Sequence, residues 1–232
     1  MIRLLASVRD IPEALAAADA GADFIDLKEP RAGALGGLPP ETIREIVGAL
    51  RGVHPHLPIS ATIGDHALFD GERIAAGVEA VGACGVDYVK VGIAGGDREA
   101  AVALLGRLAA SRYPVVPVFI ADRGLDPATV EAAGRLSFPG LMADTQDKLA
   151  GSLFDCVPPA DLARFIELAR GSGKMAGLAG ALRERHLPLL SALAPDFAGF
   201  RSAICVGGRC SEIDPDRLRR LRLALDAVLE PA

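Results

Sequence analysis

Three stretches far apart in the chain share one junction. Gly21-Ala22-Asp23-Phe24-Ile25-Asp26, Gly85-Val86-Asp87-Tyr88-Val89-Lys90 and Ala194-Pro195-Asp196-Phe197-Ala198-Gly199 each end a helical run, turn, place an aspartate and enter an apolar strand. The glycines suit a helix C-cap. Around these junctions the sequence alternates short β-branched or apolar runs with longer Ala/Leu-rich runs of helical period. Strands are predicted at Ile2–Ser7, Asp23–Lys28, Pro58–Ile63, Val86–Ile93, Val115–Ala121, Gly140–Asp144, Met175–Ala179 and Phe197–Arg201. Helices are predicted at Ile11–Ala20, with Asp10 as cap and Pro12 in the first turn, and at Pro40–Arg51, Glu72–Cys84 and Arg98–Ser111. Four more fall near 127–136, 159–170, 182–194 and 215–229. Eight strand-helix units in 232 residues fit an α/β fold, a single eight-stranded parallel (β/α) TIM barrel spanning 1–232 as one domain. An open doubly wound sheet fits less well. No Pro/Ser-rich linker or low-complexity segment divides the chain.

Composition narrows the partners. Charged residues make up 24% and the net charge is -5, which gives no basic face for nucleic acid and no polybasic membrane patch. A local phosphate pocket stays compatible with this balance. Half of the residues are apolar, only 4% are aromatic and Trp is absent, so the core must be built from Ala, Val, Leu and Ile. The apolar run from Met1 to Arg9 is broken by Arg3, Arg9 and Asp10 and is too short for a signal peptide. No apolar stretch approaches the roughly 20 residues that span a bilayer. A cytoplasmic enzyme is expected, with an Ala/Leu-rich exterior suited to a homo-oligomer. Cys84, Cys156, Cys205 and Cys210 lack a C-x-x-C framework and read as thiols; neither zinc nor another metal is expected.

Barrel enzymes place their sites at the C-terminal ends of the strands. The second strand ends with Asp26 and Lys28, two residues apart and therefore on one face. Lys90 aligns with Asp26 in the repeat, so it also points inward. Asp144 ends the sixth strand, Lys148 follows in its loop, and Arg201 ends the eighth. Lysine usage sharpens the pattern. Only four lysines, Lys28, Lys90, Lys148 and Lys174, stand among 25 Lys and Arg residues, and three of the four fall on the expected active rim. A guanidinium stays protonated and forms no Schiff base, whereas a lysine amine loses its proton when desolvated or crowded by cations. Salt bridges to Asp26 or Asp144 are the structural alternative for any one of them; three lysines with two carboxylates favour chemistry. Lys174, before the seventh strand, is expected in solvent.

A phosphate is expected at the loops after strands 7 and 8. Candidates are Gly177, Ala179 and Gly180, whose backbone N–H groups open a helix, together with Arg201 and the turn Gly207-Gly208-Arg209. His54 and His56 precede the third strand and lie on the wrong face for the site. Asp65 and His66, in the loop after it, are placed to line the site. No Ser-His-Asp constellation and no dinucleotide fingerprint is readable.

The runs Asp26-Leu27-Lys28-Glu29-Pro30, Gly33-Ala34-Leu35-Gly36, Ser60-Ala61-Thr62-Ile63-Gly64-Asp65, Tyr88-Val89-Lys90-Val91-Gly92, Asp144-Thr145, Lys148, Ser152-Leu153-Phe154-Asp155 and Leu178-Ala179-Gly180 resemble, in order and over nearly the whole chain, the (5-formylfuran-3-yl)methyl phosphate synthase family. The resemblance implies a β/α barrel without cofactor. It would condense two molecules of glyceraldehyde 3-phosphate into a furan aldehyde that keeps one phosphate, a precursor of methanofuran- or methylofuran-type coenzymes. It implies Lys28 as the Schiff-base residue and places Asp26, Lys90, Asp144 and Lys148 at the remaining catalytic positions. Arg201 is followed by Ser202-Ala203-Ile204-Cys205 where the family has smaller residues. On this reading Lys28 forms an iminium, Asp26 or Asp144 removes a proton, and Lys90 and Lys148 hold phosphate and protonate leaving oxygens. Two other readings stay open: another Schiff-base aldolase barrel acting on sugar phosphates, and a non-catalytic barrel that binds a phosphorylated metabolite.

Overall fold

A computed structural model describes residues 1–147 and 151–229. Its eight parallel strands close a barrel in chain order: β1 (Arg3–Val8), β2 (Phe24–Leu27), β3 (Ile59–Thr62), β4 (Tyr88–Ile93), β5 (Val115–Ile120), β6 (Gly140–Asp144), β7 (Met175–Leu178) and β8 (Phe197–Phe200), with β8 pairing back onto β1. Around it run α1 (Ile11–Asp19), α2 (Pro40–Val53), α3 (Gly71–Gly82), α4 (Arg98–Ala109), α5 (Pro127–Gly134), a single turn α6 (Leu153–Cys156), α7 (Pro159–Gly171), α8 (Leu187–Leu193) and α9 (Pro215–Leu229). The TIM barrel expected from the alternation is the fold observed. Asp10 caps α1, its carboxylate accepting from Glu13 N at 2.9 Å. No helix among the described residues is long and apolar enough to cross a membrane.

The repeated junction has one structural explanation. Asp23 Oδ2 accepts from Leu4 N at 2.6 Å, and Asp23 N donates to Leu4 O at 2.9 Å. Asp87 does the same with Ile59, at 2.7 and 2.8 Å, and Asp196 with Ala176, at 2.8 and 2.8 Å. Each aspartate therefore clips two backbone groups of one residue on the preceding strand and fixes the register of the pair. An arginine completes each clip: Arg222 on Asp23 at 2.7 Å, Arg51 on Asp87 at 2.5 Å and Arg170 on Asp196 at 3.1 Å. Gly21 and Gly85 turn the chain into the first two at φ +94° and +87°; Ala194 makes the same left-handed turn at +48°.

Burial raises the affinity of the Asp196 carboxyl for its proton, but Arg170 and the Ala176 N–H outweigh burial and hold it below the usual 3.8. Its contribution to stability is therefore complete above that value and is lost as the pH falls through the lower folded one. Asp196→Ala leaves the buried Ala176 N–H without its carboxylate acceptor. We expect a loss of about 1–3 kcal/mol at neutral pH in urea unfolding, shrinking in acid as the wild-type carboxylate protonates. A loss unchanged down to pH 2 would remove the clip as its cause.

Two apolar layers flank the strands. The outer one lies between sheet and helices and is dominated by Ala, Val, Leu and Ile, as composition requires. The inner one fills the barrel with Leu5, Phe24, Leu35, Val116, Val118, Met142, Ala179 and Phe197. Phe24 and Phe197 pack at 5.6 Å between ring centroids.

Two expectations need correction. Lys174 is buried, its Nζ donating to Gly134 O at 2.8 Å and Ser172 O at 3.2 Å, so it satisfies the C-terminal carbonyls of α5 and α7. The helix expected over 182–194 is a 3₁₀ turn, Glu184–His186, followed by α8. Pro188 has no N–H to give and fits only a first helical turn, so α8 starts at Leu187. The turn α6 was not anticipated, although Ser152-x-x-Asp155 is a capping-box pattern; Asp155 Oδ2 accepts from both Ser152 N and Oγ at 2.7 Å.

Candidate active site

On β2 and β4 the period of two turns Phe24, Asp26, Tyr88, Lys90 and Gly92 inward, with Lys28 continuing the β2 row. Asp26 is fully buried. Its Oδ1 accepts from Lys90 Nζ at 2.9 Å and from Ser60 Oγ at 2.7 Å. Its Oδ2 accepts from Ser7 Oγ at 3.2 Å and stands 3.8 Å from Lys28 Nζ. Burial alone would push this carboxyl up; Lys90 and then Lys28 outweigh burial and bring it below the usual value. Asp26 is thus an anion clamped by two lysines and two serines.

The loop after β2 folds over the barrel mouth above β4. Glu29 caps a 3₁₀ turn at Pro30–Ala32 and its N–H meets Gly36 O at 2.8 Å; Thr62 Oγ1 donates to the same carbonyl at 3.0 Å. This folds Leu35 into the barrel, 1% exposed, over Gly92. A side chain at 92 would begin 2.8 Å from Leu35 Cδ1, so Leu35 would have to shift to admit one. Lys90 lies beneath this plug and lines a lower void with Phe24, Ser60 and Tyr88.

Beside the β2 loop the mouth opens as a cleft bounded by Ser7, Asp26, Lys28, Asp144, Ala179, Gly180, Arg201, Ser202 and Arg209. Asp144, at the end of β6, is buried and accepts from Thr145 N at 2.8 Å. Lys148 lies outside the described residues. Gly180 takes φ +109°, which favours glycine, and a side chain there would begin 3.0 Å from Thr145 Oγ1, a tight fit. The structure therefore brings together Lys28, Asp26 and Asp144, with Lys90 one layer below.

Several expected phosphate contacts take other partners. Gly177 is a packing position: a side chain there would begin 2.0 Å from the Phe197 ring, deep in the barrel. Ala179 lines the cleft, but its N–H extends the sheet to Ala143 O at 2.8 Å. Arg201 is 7% exposed and forms a two-toothed ion pair with Glu13, which is itself buried. Its remaining N–H groups meet Ser7 O, Arg209 O and Ser211 O at 3.0, 2.8 and 2.6 Å. Gly207 and Gly208 fold onto Ser211 and do not bound the cleft. Asp65 and His66 stand behind the β2 loop; Asp65 packs against Gly33 and His66 Nε2 lies 3.2 Å from Ile63 O. Ser7 was not foreseen, although it stands one residue before the end of β1 and obeys the same strand-end rule as Lys28. Glu13 gives no signal in sequence, since an acid in a first helical turn is ordinary. Among the described residues no group of three or more His, Cys, Asp and Glu gathers as a metal site would require.

Residues 4–222 match the family model of 4-HFC-P synthase. A Methylorubrum extorquens protein that carries the name (5-formylfuran-3-yl)methyl phosphate synthase provisionally is 42% identical over 206 residues, covering 88% of this chain and 82% of that protein. The (5-formylfuran-3-yl)methyl phosphate synthase of Archaeoglobus fulgidus is 34% identical over 236 residues, covering 97% and 99%. Among solved structures, phosphoribosyl anthranilate isomerase from Thermus thermophilus superposes with a TM-score of 0.66 at 18% identity, covering 98% of this chain and 100% of that one. At that identity the likeness speaks for the fold alone.

Proposed function

Because the chain belongs to the 4-HFC-P synthase family, we propose that it condenses two molecules of glyceraldehyde 3-phosphate into (5-formylfuran-3-yl)methyl phosphate, with loss of one phosphate and water, for a methanofuran-type coenzyme. The observation that carries the chemistry is Lys28 at the cleft, sharing the buried Asp26 with Lys90. Lys90 holds Oδ1 at 2.9 Å, while Lys28 stands 3.8 Å from Oδ2. When the Lys28 amine adds to a substrate carbonyl, Asp26 therefore keeps its closer cation and no buried carboxylate is uncovered. The iminium that follows is a permanent cation beside Asp26, which stabilises it. It acidifies the neighbouring carbon, and a base must remove that proton. Asp26 is held below the ordinary carboxylate range and its oxygens are occupied, which makes it a poor base. Asp144, across the cleft, is the better placed carboxylate. The enamine then attacks the aldehyde of the second triose, a substrate hydroxyl closes the ring on the iminium carbon and expels the Lys28 amine, and loss of one phosphate and water gives the aromatic furan. The Leu35 plug keeps water from the Lys90 side while this proceeds.

Incubation with glyceraldehyde 3-phosphate alone, followed by mass spectrometry of the small molecules, tests the reading. A furan aldehyde monophosphate with one inorganic phosphate per product is the expected result. A sugar bisphosphate would instead make this an ordinary Schiff-base aldolase, and unchanged substrate would rule out the reaction.

A further inference from the structure

A phosphorylated substrate requires a cation with donors to offer at the cleft, and Arg201 has none left. Glu13 takes two of its teeth, and the carbonyls of Ser7, Arg209 and Ser211 take the rest. Lys90 lies under Leu35, and Lys28 is assigned above to the carbonyl. Arg209 is different. It sits on the loop after β8, bounds the cleft and is half-buried. One terminal nitrogen donates to Gly33 O, on the loop after β2, at 2.9 Å, and among the described residues its side chain has no other hydrogen-bond acceptor. A guanidinium carries five N–H donors in a planar fork that suits phosphate oxygens. We infer that Arg209 recognises substrate phosphate in this site, held in place by its bond to Gly33, which straps the β8 loop to the β2 loop over the end of β1.

The strap explains a second feature. Gly33 takes φ +112°, and a side chain there would begin 2.1 Å from Asp65 Oδ2. Its carbonyl is thus presented to Arg209 by a backbone that only glycine adopts without strain, with the Asp65 carboxylate directly behind it. Arg201 supports the arrangement from below: it holds the Arg209 carbonyl at 2.8 Å and, through Glu13, ties the loop to the first turn of α1. Glu13→Arg201→Arg209 is a chain of positioning contacts ending in the group that meets the ligand.

The inference rests on the substrate being phosphorylated, and two readouts separate it from the proposed reaction. Inorganic phosphate is titrated into the full-length protein by calorimetry, and KM and kcat are measured with glyceraldehyde 3-phosphate. Arg209→Met is expected to weaken phosphate binding by about tenfold or more and to raise KM by a similar factor, more than it lowers kcat. Arg209→Lys, which keeps the charge but loses the fork, should fall between. Gly33→Ala keeps the guanidinium and breaks the strap, and should also raise KM. Phosphate bound equally by wild type and Arg209→Met, or an unchanged KM in both Arg209 variants, overturns the inference while leaving the furan reaction standing. Phosphate binding that is lost in Arg209→Met, in a wild type that makes no furan product, upholds the inference and defeats the reaction.

Discussion

Lys28→Arg is expected to fold normally and to turn over at least on the order of 10³-fold more slowly than wild type. The reason is the difference between the two cations. Arginine keeps a positive charge beside Asp26, and Lys90 remains on Oδ1 at 2.9 Å, so the buried anion stays paired and the melting temperature should move little. What arginine removes is an amine able to become neutral and attack a carbonyl. Borohydride reduction in the presence of glyceraldehyde 3-phosphate should add substrate mass to a peptide containing Lys28 in wild type and to no peptide in the variant. Full turnover by Lys28→Arg would end the covalent assignment. An adduct that moved to the peptide containing Lys90 would reverse the roles of the two lysines.

Glu13→Leu is expected to produce the largest loss of stability among the substitutions considered, about 3–5 kcal/mol, because it strands the Arg201 guanidinium in a site that is nearly closed to water. Equilibrium unfolding in urea measures it. Adding Arg201→Met should recover much of that stability, since an apolar pair of similar volume avoids the desolvation of both charges. It should not recover activity, because Arg201 also holds the carbonyls of Ser7, Arg209 and Ser211, and with them the shape of the β8 loop. A Glu13→Leu variant as stable as wild type would show that the pair contributes no net stability. A double variant that regained full activity would remove Arg201 from the positioning of Arg209.

The barrel was legible because its periodicities are strong. Alternation fixed the eight strands to within a few residues, and inward orientation followed from spacing: Asp26 with Lys28 by a period of two, and Lys90 by its alignment with Asp26. The part that could not be read concerns who satisfies whom. Arg201 ends a strand just as Lys28 does, and nothing local to it announces Glu13, which lies 188 residues away in sequence. Gly177 looked like part of a phosphate-binding turn, but Phe197, on a different strand, makes it a packing residue. Lys174 looked like surface until the ends of α5 and α7 converged on it. In each case the deciding partner comes from another element, so the pattern around the residue carries no trace of it.

The aspartate clips stand at the end of the barrel away from the cleft. Each fastens an odd-numbered strand to the even-numbered strand that follows, with an arginine from the helix that precedes the odd strand around the ring. The corresponding place before β6 holds Pro139, which has neither a carboxylate nor an N–H. A gene that grew by copying a two-strand segment would have inherited such a fastening at every odd-to-even seam and could have shed one. It would also have acquired a division of labour. The fastenings stand on the rim opposite the cleft, so substitutions in the mouth loops can redirect catalysis without loosening them.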